Sequence, residues 1–133
     1  MMFRRSLLLA AVIAAAPVAA QEVNPMVTPQ TMRSTICVPG WTKTVRPPVS
    51  MTNAIKAKFI RRQGTTRPMR DFELDHIIPL CLGGAPRSEK NLQLQLWPEA
   101  KRKDKLEAEL SHKVCAGQIT LQKARAVMSN WRP

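Results

Sequence analysis

In Phe72-Glu73-Leu74-Asp75-His76-Ile77-Ile78-Pro79-Leu80, polar and apolar side chains alternate and then give way to an apolar run. Alternation with period two marks a strand with one buried face, so a strand is expected over 72–78, and Pro79 confines it to an end or an edge. Gly83-Gly84-Ala85-Pro86 follows as a turn-rich loop. Leu92-Gln93-Leu94-Gln95-Leu96 alternates strictly, with three leucines on one face and two glutamines on the other, and reads as a second strand. Pro98 suits the first turn of a helix and Glu99 suits its positive end. The amphipathic pattern then continues to about Cys115, before Gly117. Strand, loop, strand and helix in this order predict an α+β fold.

Outward from this centre, Ala54, Ile55, Ala57, Phe59 and Ile60 interspersed with lysine and arginine predict a short basic helix over 52–62, ending before Gly64. Thr120 is placed to cap a last helix with Leu121, Ala124, Val127 and Trp131 on one side. Residues 21–50 carry Pro25, Pro29, Pro39, Pro47, Pro48 and Gly40, a composition that forbids long regular elements, so they form an extended lead-in to a domain over 51–133. Residues 1–20 read as a signal peptide. Arg4 and Arg5 form its basic start, Leu7 to Ala16 its apolar run, and Val18-Ala19-Ala20 its cleavage site. That run falls well short of the ~20 apolar residues that span a bilayer. The expected location is therefore periplasmic or extracellular, with no stable membrane association after cleavage.

Removing Arg4 and Arg5 from the 21 basic residues leaves 19 against 9 acids, a net charge of +10 on the mature chain. Such a field attracts polyanions. With no tyrosine and few Phe and Trp there is no aromatic-anchored membrane helix, so nucleic acid is the leading partner class. Three cysteines, Cys37, Cys81 and Cys115, survive processing into a compartment where disulfides persist. Cys37–Cys115 is favoured, tying the lead-in to the end of the central helix, and Cys81–Cys115 is its rival. With no Cys-x-x-Cys and two histidines, a structural zinc knuckle is not supported.

Phosphodiester hydrolysis requires a base to prepare water, positive charge to absorb the growing negative charge, and groups that hold the substrate. His76 is the natural base, because its ordinary pKa lies close to working pH. Around it stand Asp75, the Gly83-Gly84 loop, Asn91 fifteen residues on, and a helix with an acid in its first turn. In this order the chain resembles the HNH endonuclease family, and more closely a subset of small exported HNH-like proteins. The resemblance runs through Ile36-Cys37-Val38-Pro39-Gly40, Arg46-Pro47-Pro48, Glu73 to Leu80, Asn91-Leu92, Trp97-Pro98-Glu99, Lys103-Asp104 and Val114-Cys115-Ala116-Gly117.

The resemblance implies a ββα-metal core in which Asp75 ligates a divalent metal and Asn91 hydrogen-bonds across the loop that presents His76. Oxygen ligands suit Mg²⁺ or Mn²⁺ better than Zn²⁺. The chain departs from the family where a second histidine would sit on the helix. Glu99, Asp104, Glu107 and Glu109 are the available replacements, and His112 comes too late. At about 100° per residue, Glu99, Lys103, Leu106, Leu110 and Val114 share a stripe about 80° wide, while Asp104 lies about 140° from Glu99. The leucine stripe is expected to face the hairpin, so Glu99 is favoured over Asp104 as the second ligand, and Lys103 meets a phosphate oxygen or the leaving group. Trp97 is expected to fill core, and Lys101, Arg102 and Lys105 to track a phosphate backbone.

The leading expectation is a metal-dependent endonuclease of low sequence specificity, acting on DNA or RNA with His76 as base. A non-catalytic basic nucleic-acid-binding module on the same fold is the alternative, supported by the missing helix histidine. A disulfide-stabilised structural or inhibitory protein is the third class.

Overall fold

The structure, a computed structural model, describes residues 22–133. The signal peptide expected over 1–20 lies outside the described residues. In chain order come α1 (Trp41–Val45), α2 (Val49–Gln63), β1 (Phe72–His76), β2 (Leu92–Leu96), α3 (Trp97–Cys115) and α4 (Leu121–Ser129). Helices around a two-stranded antiparallel sheet make the fold α+β. Among the described residues no helix is long and apolar enough to cross a membrane.

Among the described residues of the lead-in, the helical turns before α2 are short, the five-residue α1 the longest of them, as the prolines require, and Val23 forms an isolated β-bridge with Gly84. α2 starts at Val49, three residues before the expected 52, because Pro48 serves as N-cap: its carbonyl accepts the Met51 and Thr52 amides at 3.0 and 3.2 Å. The helix ends at Gly64, whose φ of 63° lies in the left-handed region that glycine adopts freely. α4 opens as expected, with Thr120 accepting a hydrogen bond from the Lys123 amide at 3.1 Å. Its buried face is Leu121, Ala124 and Met128, and Val127 is exposed.

β1 pairs with β2 from Phe72↔Leu96 to His76↔Leu92, with Asp75 opposite Gln93. The ladder stops at His76, two residues short of the expected end, because beyond it a side chain takes over. The Ile77 amide still bonds the Asn91 carbonyl at 2.8 Å, but the Ile78 amide bonds Asn91 Oδ1 at 2.8 Å. Both sheet faces are covered. Glu73, Asp75, Gln93 and Gln95 alternate onto one face, which turns to α3, where Lys103 meets Asp75. The leucine face lies beneath α2, and Leu94 shares a surface cavity with Phe59, Arg62 and Gln63.

The core lies beside the hairpin rather than under it. Leu110 and Val114 of α3 pack with Ile78, Leu82, Leu121, Ala124 and Met128, joined by Val27 and Ile36 from the lead-in. α3 also reaches the sheet, where Lys103 meets Asp75 of β1. Cys37 and Cys115 form a disulfide closing 78 residues of chain, and Cys81 is free. A loop of that length restricts the unfolded chain by about 4 kcal/mol in the chain-entropy picture.

Candidate active site

His76 ends β1 and faces a cleft of about 460 Å³. One wall comes from β1 and α3, with Glu73, Leu74, Asp75, His76, Asp104 and Glu107. The other comes from the end of α1 and the first half of α2, with Arg46, Val49, Thr52, Asn53 and Lys56. Trp97 lines the same space. Acids from β1 and α3 and basic and small polar groups from α1 and α2 therefore share the cleft with the histidine.

The loop after β1 aims the imidazole. Asn91 is fully buried, and its Nδ2 donates to the Ile78 and Ala85 carbonyls at 3.0 and 3.1 Å while its Oδ1 accepts the Ile78 amide. The loop closes this tightly because residue 84 is glycine. A Cβ there would fall on the Ile78 carbonyl and meet Asn91 Nδ2 at 2.8 Å. Asn91→Ala would strand three backbone groups in a dry interior, so a loss on the order of 2 kcal/mol is expected, read as a lower urea midpoint with an unchanged slope.

His76 Nε2 lies 3.0 Å from the Pro86 carbonyl. A carbonyl only accepts, so Nε2 carries the hydrogen and Nδ1 is the basic atom of the neutral ring. Burial holds the His76 pKa below its ordinary value, against the opposing pull of the Pro86 hydrogen bond and Asp75, so the neutral, proton-accepting form is favoured. Glu73 is displaced the other way. Burial, then the negative charges of Asp75, Asp104 and Glu107, raise its pKa to about 7, with Lys103 opposing. Its Oε2 is buried without a hydrogen-bond partner.

Lys103 does not reach the cleft as expected of a phosphate contact. It is 1 % exposed, and its Nζ donates to the His76 carbonyl at 2.7 Å, to Asp75 Oδ2 at 2.8 Å and to Glu107 Oε1 at 2.5 Å. Burial works to lower its pKa, but the two carboxylates outweigh burial and raise it, so it stays charged. All three ammonium hydrogens are used inside the protein, which makes Lys103 a positioning residue that ties the end of β1 to α3.

The expected ligand set is likewise not assembled. Glu99 lines a different cavity, with Gln93, Gln95, Met128 and Trp131, away from His76. The helical stripe is real, but its second half packs on the core and Lys103 lies beneath the hairpin. The cleft opens on the Asp104 and Glu107 side of Lys103, and Glu99 falls on the other. Asp75, meanwhile, has its carboxylate engaged by an ammonium and by Gln93 Nε2 at 3.3 Å. Among the described residues no three His, Cys, Asp or Glu side chains are grouped to hold a metal ion. Asp75, Glu99 and Asp104 in this arrangement do not fit a shared divalent cation, because the position beside Asp75 already carries a positive charge of the protein's own.

Trp97 is 43 % exposed rather than core, with its indole N–H donating to the Arg70 carbonyl at 2.8 Å. Lys101, Arg102 and Lys105 are exposed on α3. On α2, Lys58 and Arg62 pair with Glu89 at 2.7 and 3.4 Å, while Lys56 lines the cleft. Sequence reading missed Arg46, Lys56 and Glu73 as site residues. For Glu73 the signal was present, since alternation puts it on the same strand face as Asp75. No family model, curated protein or solved structure matches the chain.

Proposed function

We propose that the chain is an exported phosphodiesterase of low sequence specificity acting on nucleic acid, with His76 as general base on an HNH-like ββα core. The observation that carries this reading is the His76 ring. Its Nε2–H is fixed on the Pro86 carbonyl and Nδ1 is left basic, in a cleft also lined by Arg46 and Lys56. Nδ1 takes the proton of the attacking water as its oxygen bonds to phosphorus. Glu73, able to hold a proton near neutrality, returns one to the leaving oxygen as that P–O bond breaks. Arg46 and Lys56 attract the phosphate and offset its charge. No step is routed through Mg²⁺ or Mn²⁺, since the expected ligands do not form a set. Export rests on the leader-like residues 1–20 together with the Cys37–Cys115 disulfide.

The mature protein is expected to degrade plasmid DNA or bulk RNA. Parallel reactions with added Mg²⁺ or Mn²⁺ and with chelator compare the two conditions directly. The pH profile follows from the two shifts. His76 must be neutral, so activity falls as pH drops through a value below about 6.5. Glu73 must be protonated, so activity also falls as pH rises through about 7. Glu73→Gln is expected to remove the alkaline limb, and a profile flat from pH 5 to 9 would count against both roles.

A second reading is favoured by Lys103 occupying the place beside Asp75: a non-catalytic module that keeps the fold and binds nucleic acid through its charge. Binding that weakens steeply with salt, without cleavage in any of these buffers, selects it.

A further inference from the structure

Tryptophan at a helix start normally packs inward, yet Trp97 stands 43 % exposed on the wall of the His76 cleft. Its indole N–H is already satisfied by the Arg70 carbonyl, which fixes the ring's edge and leaves its face as the part with unmet contact potential. The same cleft is lined by exposed Val49, apolar like the ring, and by two cations, Arg46 and Lys56. A flat apolar face lining the same cleft as His76, at the Phe72–Leu96 end of the hairpin and in company with two cations, matches one ligand chemistry. That ligand is an aromatic ring joined to a phosphate.

We infer that Trp97 is a stacking platform for an unpaired nucleobase that flanks the scissile phosphate at a distance set by the length of β1, ~13 Å, so that the preferred substrate is single-stranded nucleic acid. The inference rests on the proposed phosphodiesterase reading of the cleft. Within a duplex both faces of each base are covered by its neighbours, so only an unstacked base has a face to offer. Stacking is indifferent to base identity, in keeping with the lack of any base-reading array. A ring already pinned by its own hydrogen bond also loses little freedom on binding, which favours affinity.

The test uses the mature chain carrying His76→Ala, so that bound strands survive, and compares a labelled oligothymidylate with a blunt duplex of the same length. The single strand is expected to bind more tightly. Trp97→Leu should weaken single-strand binding by about tenfold or more, the scale of one lost base stack, with duplex binding unchanged. Trp97→Phe should restore most of the difference. A second readout covers the case in which Trp97→Leu fails to fold. In Trp41→Phe/Trp131→Phe protein Trp97 is the remaining tryptophan, and oligothymidylate should quench its emission where dextran sulfate, a polyanion without bases, does not.

Equal binding of single strand and duplex, equal losses on both in Trp97→Leu, or an unquenched Trp97 overturns the inference while leaving the phosphodiesterase reading intact. Failure of the parent protein to bind either strand at low salt removes both.

Discussion

His76→Ala is expected to lower nucleic-acid cleavage by about 10²- to 10⁴-fold, the range for losing a positioned general base, while the protein stays folded. The two halves of this result come from different features. The ring is only half-buried, and its one hydrogen bond is to the Pro86 carbonyl on the loop surface. The backbone that holds it is secured independently, by the ladder to Leu92 and by Lys103 on the His76 carbonyl. Removing the ring therefore takes away the basic Nδ1 and little of the scaffold. Initial rates on plasmid and on RNA, with thermal midpoints of both proteins, check it. Unchanged cleavage in a folded His76→Ala protein would sink the mechanism. His76→Gln separates basicity from shape, since an amide keeps polar contact with Pro86 but cannot accept the proton, and it should be as inactive as alanine.

Lys103→Met is expected to destabilise the protein by about 3–5 kcal/mol, a large share of a small domain's total stability. Methionine fills nearly the same volume, so the loss is electrical. Asp75 and Glu107 would be left as carboxylates in a buried place, and the His76 carbonyl would lose its donor. Burial already pushes the Glu107 pKa up even with Lys103 opposing it, which shows how poorly the site tolerates uncompensated negative charge. Urea unfolding at pH 7 measures the effect. The double variant Lys103→Met/Asp75→Asn should recover part of the loss, because it removes one of the two stranded charges, and the cycle gives the coupling between the residues. A loss below 1 kcal/mol would mean that Lys103 is not the clasp its contacts indicate. Cleavage should fall along with stability, since the clasp ends on the residue that carries the base.

Legibility in the sequence divides by range. The two strands, the long α3, the Thr120 cap and the irregular lead-in follow from alternation, proline placement and capping chemistry, which act over a few residues. The favoured Cys37–Cys115 pairing is also the one found. Misreadings lie where a local pattern meets a distant partner. β1 stops early because Asn91 supplies a side chain where a strand partner would stand, and Trp97 is exposed with its indole N–H held on the Arg70 carbonyl, a partner 27 residues away in the chain.

Residues 72–98 by themselves determined the hairpin and the helix that follows, because periodicity and turn residues carry that information locally, while the end of β1 at His76 came from the Asn91 side chain. The tertiary structure decided which side of α3 opens on the cleft. A helical wheel gives the angles between Glu99, Lys103 and Asp104 but not the rotation of the helix against the sheet. That rotation is set by Leu110 and Val114 docking on Leu82, Leu121 and Met128. It turns Glu99 away and drives Lys103 beneath the hairpin onto Asp75, so the charge beside Asp75 comes from the chain itself.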